Sequence, residues 1–318
     1  MESDDGALVG PRSVHRPVMV GEVLELLITD RRGLYADLTL GGGGHAEAIL
    51  DATEGPLIGL DRDPTAVARA RRRLDRFAPR TTLLPGRGGD LVSALTEHGL
   101  GSCAGVLVDL GLSSDQLASG RGFSFEGDAP LDMRFDPGEA RPTAADLLAE
   151  WAPAELAQLF AQNGDFPPPV ARRIAQAIVR ARARAPLAGV AALRAVVAPL
   201  FPPALRQQNL ARIFQSLRMA VNDELGELDR TLAAATAALR PGGVLCVLSY
   251  HSLEDRRVKS LFAPRVPPRR EVPAPPGWSA GPFVPRTRRA LRPQVAEVTA
   301  NPRARSARLR AGVRTEDR

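Results

Sequence analysis

The stretch Asp37-Leu38-Thr39-Leu40-Gly41-Gly42-Gly43-Gly44-His45 decides the fold: an apolar run meets a carboxylate and then four glycines that open a helical pattern. Such glycines let the backbone approach a ligand and turn tightly into a helix. Gly41-x-Gly43-x-x-Ala46 satisfies the dinucleotide fingerprint in form, a signal that does not separate one nucleotide class from another. Two further runs narrow it. Leu60-Asp61-Arg62-Asp63-Pro64 and Val106-Leu107-Val108-Asp109-Leu110-Gly111 each end an apolar stretch in a carboxylate. Asp61 falls about 20 residues past Gly41, the spacing at which an acidic side chain accepts ribose hydroxyls. Together the three strand ends suit an adenosine-containing cofactor lying across the carboxyl edge of a parallel sheet.

Outward from this core, strands are expected at 34–40, 57–60, 81–84 and 104–110, with helices near 44–51, 64–77 and 90–98 between them. Asp63-Pro64 supplies an N-cap and a first-turn proline, and Val67, Ala70, Leu74 and Phe77 recur at helical spacing. Strands alternating with helices at short intervals predict a doubly wound α/β sheet. The alternation stops at 113–136, a run dense in Ser, Gly, Asp and Phe, and helical patterns follow over 144–150, 154–162, 170–183 and 190–200. This reads as an all-helical insert, 118–205, between two parts of one sheet domain, 1–117 and 206–318. A long helix over 208–239 and a strand at 244–250 resume the α/β rhythm, and the tail 301–313 offers a last strand. Residues 264–293 hold nine prolines and seven arginines and read as an extended loop.

With 318 residues, the chain exceeds the usual single-domain size, and 44% hydrophobic residues suffice for a core. No apolar run approaches a membrane span, and the acidic start has no signal-peptide core, which points to the cytoplasm. Two cysteines, Cys103 and Cys246, form neither a disulfide framework nor a zinc site. The net charge of +6 is nearly all arginine and favours a nucleic-acid partner. No feature sets an oligomeric state.

Several motifs in order resemble the small-subunit ribosomal RNA cytosine-N4 methyltransferase family. Besides the three strand-end runs, they are Ser113-Ser114-x-Gln116-Leu117, Arg121-Gly122-Phe123-Ser124-Phe125, Pro130-Leu131-Asp132-Met133-Arg134, Val221-Asn222-Asp223-Glu224-Leu225, His251-Ser252-Leu253-Glu254-Asp255-Arg256 and Asn301-Pro302-Arg303-x-Arg305-Ser306-Ala307. The matches run from His15-x-Pro17-Val18 to the tail. The resemblance implies a class I fold dependent on S-adenosylmethionine (SAM), with a Rossmann-like sheet and an inserted helical domain. It also implies methyl transfer to the exocyclic N4 of one cytidine in the decoding region of 16S RNA, with the small ribosomal subunit as partner. By position it implies SAM contacts at Gly43, Gly44, His45, Asp61, Asp109 and Gln116. Gly88 stands where the family carries a phenylalanine beside the adenine. Two further runs depart from the family: Gln208-Asn209-Leu210-Ala211-Arg212 replaces His-Pro-Ala-Thr-Arg, and Asn163-Gly164-Asp165-Phe166 replaces Tyr-Gly-Glu-Glu.

Asp109 is the expected catalytic carboxylate, either accepting from the target amino group or serving as a SAM ligand alone. His251 is the second catalytic candidate, placed to orient base or phosphate. Phe123 and Arg134 are candidates for stacking a flipped base, with the alternative that the phenylalanines of this loop anchor the insert's hinge. Arg212, Arg303 and Arg305 are expected RNA contacts, and Arg308 and Arg310 belong to the same basic tail. Methylation at cytosine C5 would need a reactive thiolate, for which neither cysteine is placed. No metal is expected. Two other functions fit part of the pattern: an NAD-dependent oxidoreductase, which leaves the Asp109 run unexplained, and a non-catalytic RNA-binding or assembly factor that keeps the fold.

Overall fold

The computed structural model describes residues 17–111, 117, 119–263 and 281–316. Seven strands form one sheet in the order β3-β2-β1-β4-β5-β7-β6. They are β1 (Tyr35–Asp37), β2 (Leu57–Asp61), β3 (Thr81–Pro85), β4 (Cys103–Asp109), β5 (Leu239–Ser249), β6 (Phe283–Pro285) and β7 (Arg308–Arg314). The first five pair in parallel, while β7 runs antiparallel to both β5 and β6. Chain order reverses between β1 and β4, so a crevice opens there at the carboxyl ends of the strands, where open α/β sheets bind ligands. This order gives the Rossmann-like sheet that the sequence resemblance implies, with β7 reversed.

Helices α1 (Val20–Leu27), α2 (Gly44–Ala52) and α3 (Pro64–Arg73) cover one face, in a core that includes Leu27, Ile49, Leu74 and Leu107. The opposite face is covered by α4 (Leu91–Glu97) and two helices named below, in a core that includes Ile58, Leu91, Val106 and Leu232. The parallel strands are thus buried on both sides, which explains their almost unbroken apolar sequence. Asp63 caps α3 as its spacing predicts: its carboxylate accepts from Thr65 N at 2.9 Å, and Pro64 occupies the first turn.

A third hydrophobic cluster lies in a helical lobe. It joins α5 (Ala144–Glu150), α6 (Pro153–Gln162), α7 (Pro168–Arg182), α8 (Val190–Val197) and α9 (Pro203–Asn222). Its packing continues past residue 205, through Leu210, Phe214 and Leu217 to Val221. The single helix expected over 208–239 is two, α9 and α10 (Glu224–Ala238), separated at Asp223, whose φ of 48° is left-handed. The lobe's apolar stripe therefore ends at that break, and α10 packs on the sheet instead.

After β5, α11 (Ser252–Phe262) packs on the sheet with α10, and α12 (Val295–Ala300) precedes the last strand. The proline-rich stretch corrects another expectation. Within its described part, Phe283–Pro285 forms the edge strand β6, and Phe283 is buried edge-on against Phe262 with ring centroids 5.2 Å apart. No described helix is long and apolar enough to cross a membrane.

Candidate active site

Three carboxylates gather at the carboxyl edge of the sheet: Asp37, Asp61 and Asp109, closing β1, β2 and β4. Backbone amides hold two of them. Thr39 N donates to Asp37 Oδ1 at 3.1 Å, while Asp61 accepts from Gly41 N at 2.7 Å and from Asp63 N at 2.9 Å. The second pair ties the glycine loop to the end of β2. Gly43, with φ at +79°, makes the left-handed turn that starts α2, and Gly41 also has positive φ. Asp109 N donates to Thr39 Oγ1 at 2.6 Å, which locks the ends of β1 and β4 together.

Among the described residues no lysine or arginine pairs with these carboxylates, and burial dominates their titration. Burial pushes Asp37 up to about 6 and Asp109 up to about 7; it raises Asp61 too, outweighing the pull of Arg69. The crevice therefore holds more negative charge than it can easily keep. A cation with hydroxyl donors is the complementary ligand.

Asp109 has a close neighbour at each oxygen, of which one donates to it. The Tyr250 hydroxyl donates to its Oδ1 at 2.8 Å, and His45 Nδ1 lies 3.5 Å from its Oδ2. His45 Nε2 is 2.9 Å from Val18 O, a carbonyl that can only accept, so this nitrogen carries the proton and Nδ1 presents its lone pair to Asp109. Burial holds the imidazole below its usual range. His45, 6% exposed, thus sits beneath Asp109 rather than at the crevice mouth.

His251 caps α11. Its Nδ1 accepts from Glu254 N at 3.4 Å, and Glu254 Oε2 accepts from Tyr250 N at 2.9 Å and His251 N at 3.3 Å. Glu254 is buried; burial pushes its carboxyl up, but His251 and these bonds hold it below the usual range. Glu224, His251 and Glu254 each bring an atom within 4.8 Å of the others. Both Glu224 oxygens are already taken by buried Arg218, at 2.6 and 2.8 Å, so the cluster is a compensated ion network and not a metal site.

The remaining expected residues divide. Gly88 is buried and faces α10: a Cβ there would meet Thr231 Oγ1 at 2.5 Å, so helix packing explains the missing ring. Beside it, Glu139 accepts from Arg87 at 2.7 Å, Arg141 at 2.9 Å and Arg62 at 3.3 Å, a basic cluster over the end of β2 that sequence reading missed. Phe123 is 7% exposed and stacks on Phe135 at 5.7 Å, so its ring belongs to the lobe's core and is not presented to a base. Arg134 is held in a fork by Asp132, at 2.8 Å to each oxygen. Arg212 donates to the carbonyls of Gly164 and Asp165 and lies 4.1 Å over the Phe166 ring, joining the two stretches that depart from the family pattern. Arg303 and Arg305 are exposed on the turn before β7, while Arg308 and Arg310 pair with Asp255 at 3.3 and 2.8 Å. Gln116 lies outside the described residues.

Sequence reading also missed the bonds that Tyr250 makes to Asp109 and that Glu254 makes to the start of α11. His251-x-x-Glu254 carried the signal, since a helix start with Glu at its third position is a capping box.

A family model described as the MraW methylase family matches residues 12–315. A curated relative from Acidothermus cellulolyticus, named ribosomal RNA small subunit methyltransferase H, is 44% identical over 329 aligned residues, covering 100% of this chain and 98% of that protein. One of the same name from Thermomicrobium roseum is 46% identical, over 97% of this chain and 96% of its own length.

Proposed function

This chain belongs to the MraW methylase family, and from that premise we propose that it moves a methyl group from SAM to the exocyclic N4 of a cytidine in the decoding region of small-subunit ribosomal RNA. The observation that carries this reading is the placement of Asp109 at the topological switch of the sheet, with its Oδ1 bonded by the Tyr250 hydroxyl and its Oδ2 beside His45. When bound, SAM supplies a sulfonium methyl as electrophile.

The residues fit that cofactor. Asp61 stands at ribose-binding distance along the chain from the glycine loop, and crevice carboxylates that pair with no lysine or arginine among the described residues match a positive sulfonium. Gly41 and Gly43 bring backbone to the crevice floor. Arg62 and Arg87 converge on Glu139 beyond the end of β2.

On the acceptor side, the cytosine amino nitrogen is a weak nucleophile because its lone pair is delocalised into the ring. An Asp109 oxygen that accepts one of its N–H bonds lets the nitrogen pyramidalise and aim its lone pair at the methyl carbon. With the methyl carried from the sulfonium to the amino nitrogen, the proton released there would pass to Asp109, whose Oδ2 faces the His45 lone pair. Tyr250 fixes the carboxylate's orientation. Orientation and electrostatics supply most of the rate. Both cysteines are buried with thiols pushed up to about 12, which disfavours the thiolate route to C5. Arg303 and Arg305 are the proposed phosphate contacts.

The test is incubation with methyl-labelled SAM and small ribosomal subunits lacking the modification, alongside naked RNA and single-stranded DNA of the same sequence. Label entering the ribosomal RNA supports the reading. Label entering DNA alone, or none despite SAM binding, overturns it.

A further inference from the structure

Where the helical lobe meets the sheet domain there is a cleft of about 370 Å³. One wall is the turn between α6 and α7, with Asn163 and Asp165; another is the face of α9 carrying Gln208, Arg212 and Gln215; the third is the first turn of α11 at His251. Gln208, Arg212 and Gln215 follow one another at helical spacing and so share that face.

The cleft's chemistry is that of amides. The side chains of Asn163 and Gln208 make no hydrogen bond among the described residues, and Gln215 has one long contact, from Nε2 to Met219 Sδ at 3.7 Å. Arg212 is committed to the wall itself through Gly164 O, Asp165 O and the Phe166 ring. Its charge is opposed by the exposed Asp165 carboxylate in the same cleft, so a phosphate gains little net attraction there. A neutral ligand with donors and acceptors side by side is the better match, and a nucleobase edge has that pattern: Gln and Asn pair with it through two bonds. The volume also suits one nucleotide unit, at the lower end of the range of ligand pockets.

This cleft is not where the reacting base sits. Asp109 is absent from its lining, and a contact chain from Asp109 through Tyr250 and Glu254 to His251 separates the two places. They are nonetheless adjacent, because His251 follows Tyr250 directly. We propose that the cleft takes a nucleobase neighbouring the methylated cytidine and that Asn163, Gln208 and Gln215 read its edge. The proposal rests on the reading above that the substrate is RNA.

The experiment measures binding of an RNA hairpin carrying the decoding-region sequence by fluorescence anisotropy. Abasic nucleotides replace each neighbour of the acceptor cytidine in turn, with the unaltered protein and with Gln208→Ala/Gln215→Ala. One abasic position should weaken binding to the unaltered protein about tenfold. The double variant should lose about as much on intact RNA and nothing more on the abasic one. Abasic substitutions without effect, losses that multiply independently, or no RNA binding would overturn the proposal. A protein that forms N4-methylcytidine without the coupling keeps the reaction and loses the cleft. Coupling without methyl transfer does the reverse.

Discussion

The Tyr250 hydroxyl donates to Asp109 Oδ1 across 2.8 Å, joining the residue after β5 to the carboxylate that ends β4. Burial raises Asp109 to about 7, and this bond pulls the other way by favouring the ionised form. If the carboxylate accepts from the amino group, kcat/KM should rise with pH through about 7. Tyr250→Phe removes the opposing pull and should move that limb to higher pH. An unmoved limb in the variant would mean that Tyr250 does not set the charge of Asp109.

Asp37 and Asp109 also link stability to pH. Their folded-state values, about 6 and about 7, lie above the ordinary 3.8, so the native state holds protons that the unfolded chain has released. Their contribution is fully present below the ordinary value and is lost as pH rises through 6 and 7. A cationic ligand reverses that loss by favouring the ionised pair. The rise in Tm on adding SAM should therefore grow as pH rises through about 6 and about 7, the values of these groups. A constant or shrinking rise, measured by scanning fluorimetry, would contradict the charge complementarity argued for the crevice.

Gly88 tests the packing explanation for the missing ring. A Cβ there would approach Thr231 Oγ1 to 2.5 Å and Thr231 Cγ2 to 2.6 Å, so α10 must move to admit any side chain. Gly88→Phe should cost about 1–3 kcal/mol of stability. Adding Thr231→Gly should recover part of it in denaturant titrations. Equal stability of Gly88→Phe and the parent would show that the helix yields freely.

Arg218 and Glu224 provide a contrast between buried and exposed ion pairs. Their side chains are 11% and 12% exposed and share two hydrogen bonds, whereas those of Arg32 and Glu54 are 87% and 62% exposed. Glu224→Ala leaves a buried guanidinium without its carboxylate and should cost about 3–5 kcal/mol. Glu54→Ala should leave thermal unfolding unchanged within error. Similar midpoints for the two variants would contradict the burial of the Arg218 pair.

Much of this organisation is legible in the residues. The ends of β1, β2 and β4 can be read because unbroken apolar runs close on Asp37, Asp61 and Asp109, and because Asp63-Pro64 marks a helix start. The break between α9 and α10 cannot be read. Asn222-Asp223 contains neither proline nor glycine, and the tertiary bonds that exploit the break lie far away in sequence: Asn222 Nδ2 donates to Met133 O at 2.7 Å, and its Oδ1 accepts from Phe135 N at 2.9 Å. β6 is hidden among prolines, since an edge strand tolerates Pro285 and only pairing with β7 defines it. In the site, residue type identified the carboxylates but not what holds them. The partnership of Tyr250 with Asp109 spans 141 positions and follows from the β4–β5 register alone.

The most direct test of the proposed reaction is identification of the modified nucleoside. RNA recovered from small subunits after reaction with SAM is digested to nucleosides and analysed by mass spectrometry, with Asp109→Asn run beside the parent. The account predicts N4-methylcytidine from the parent and none from the variant. A methyl group on C5 or on another base, or undiminished N4-methylcytidine from Asp109→Asn, would contradict it.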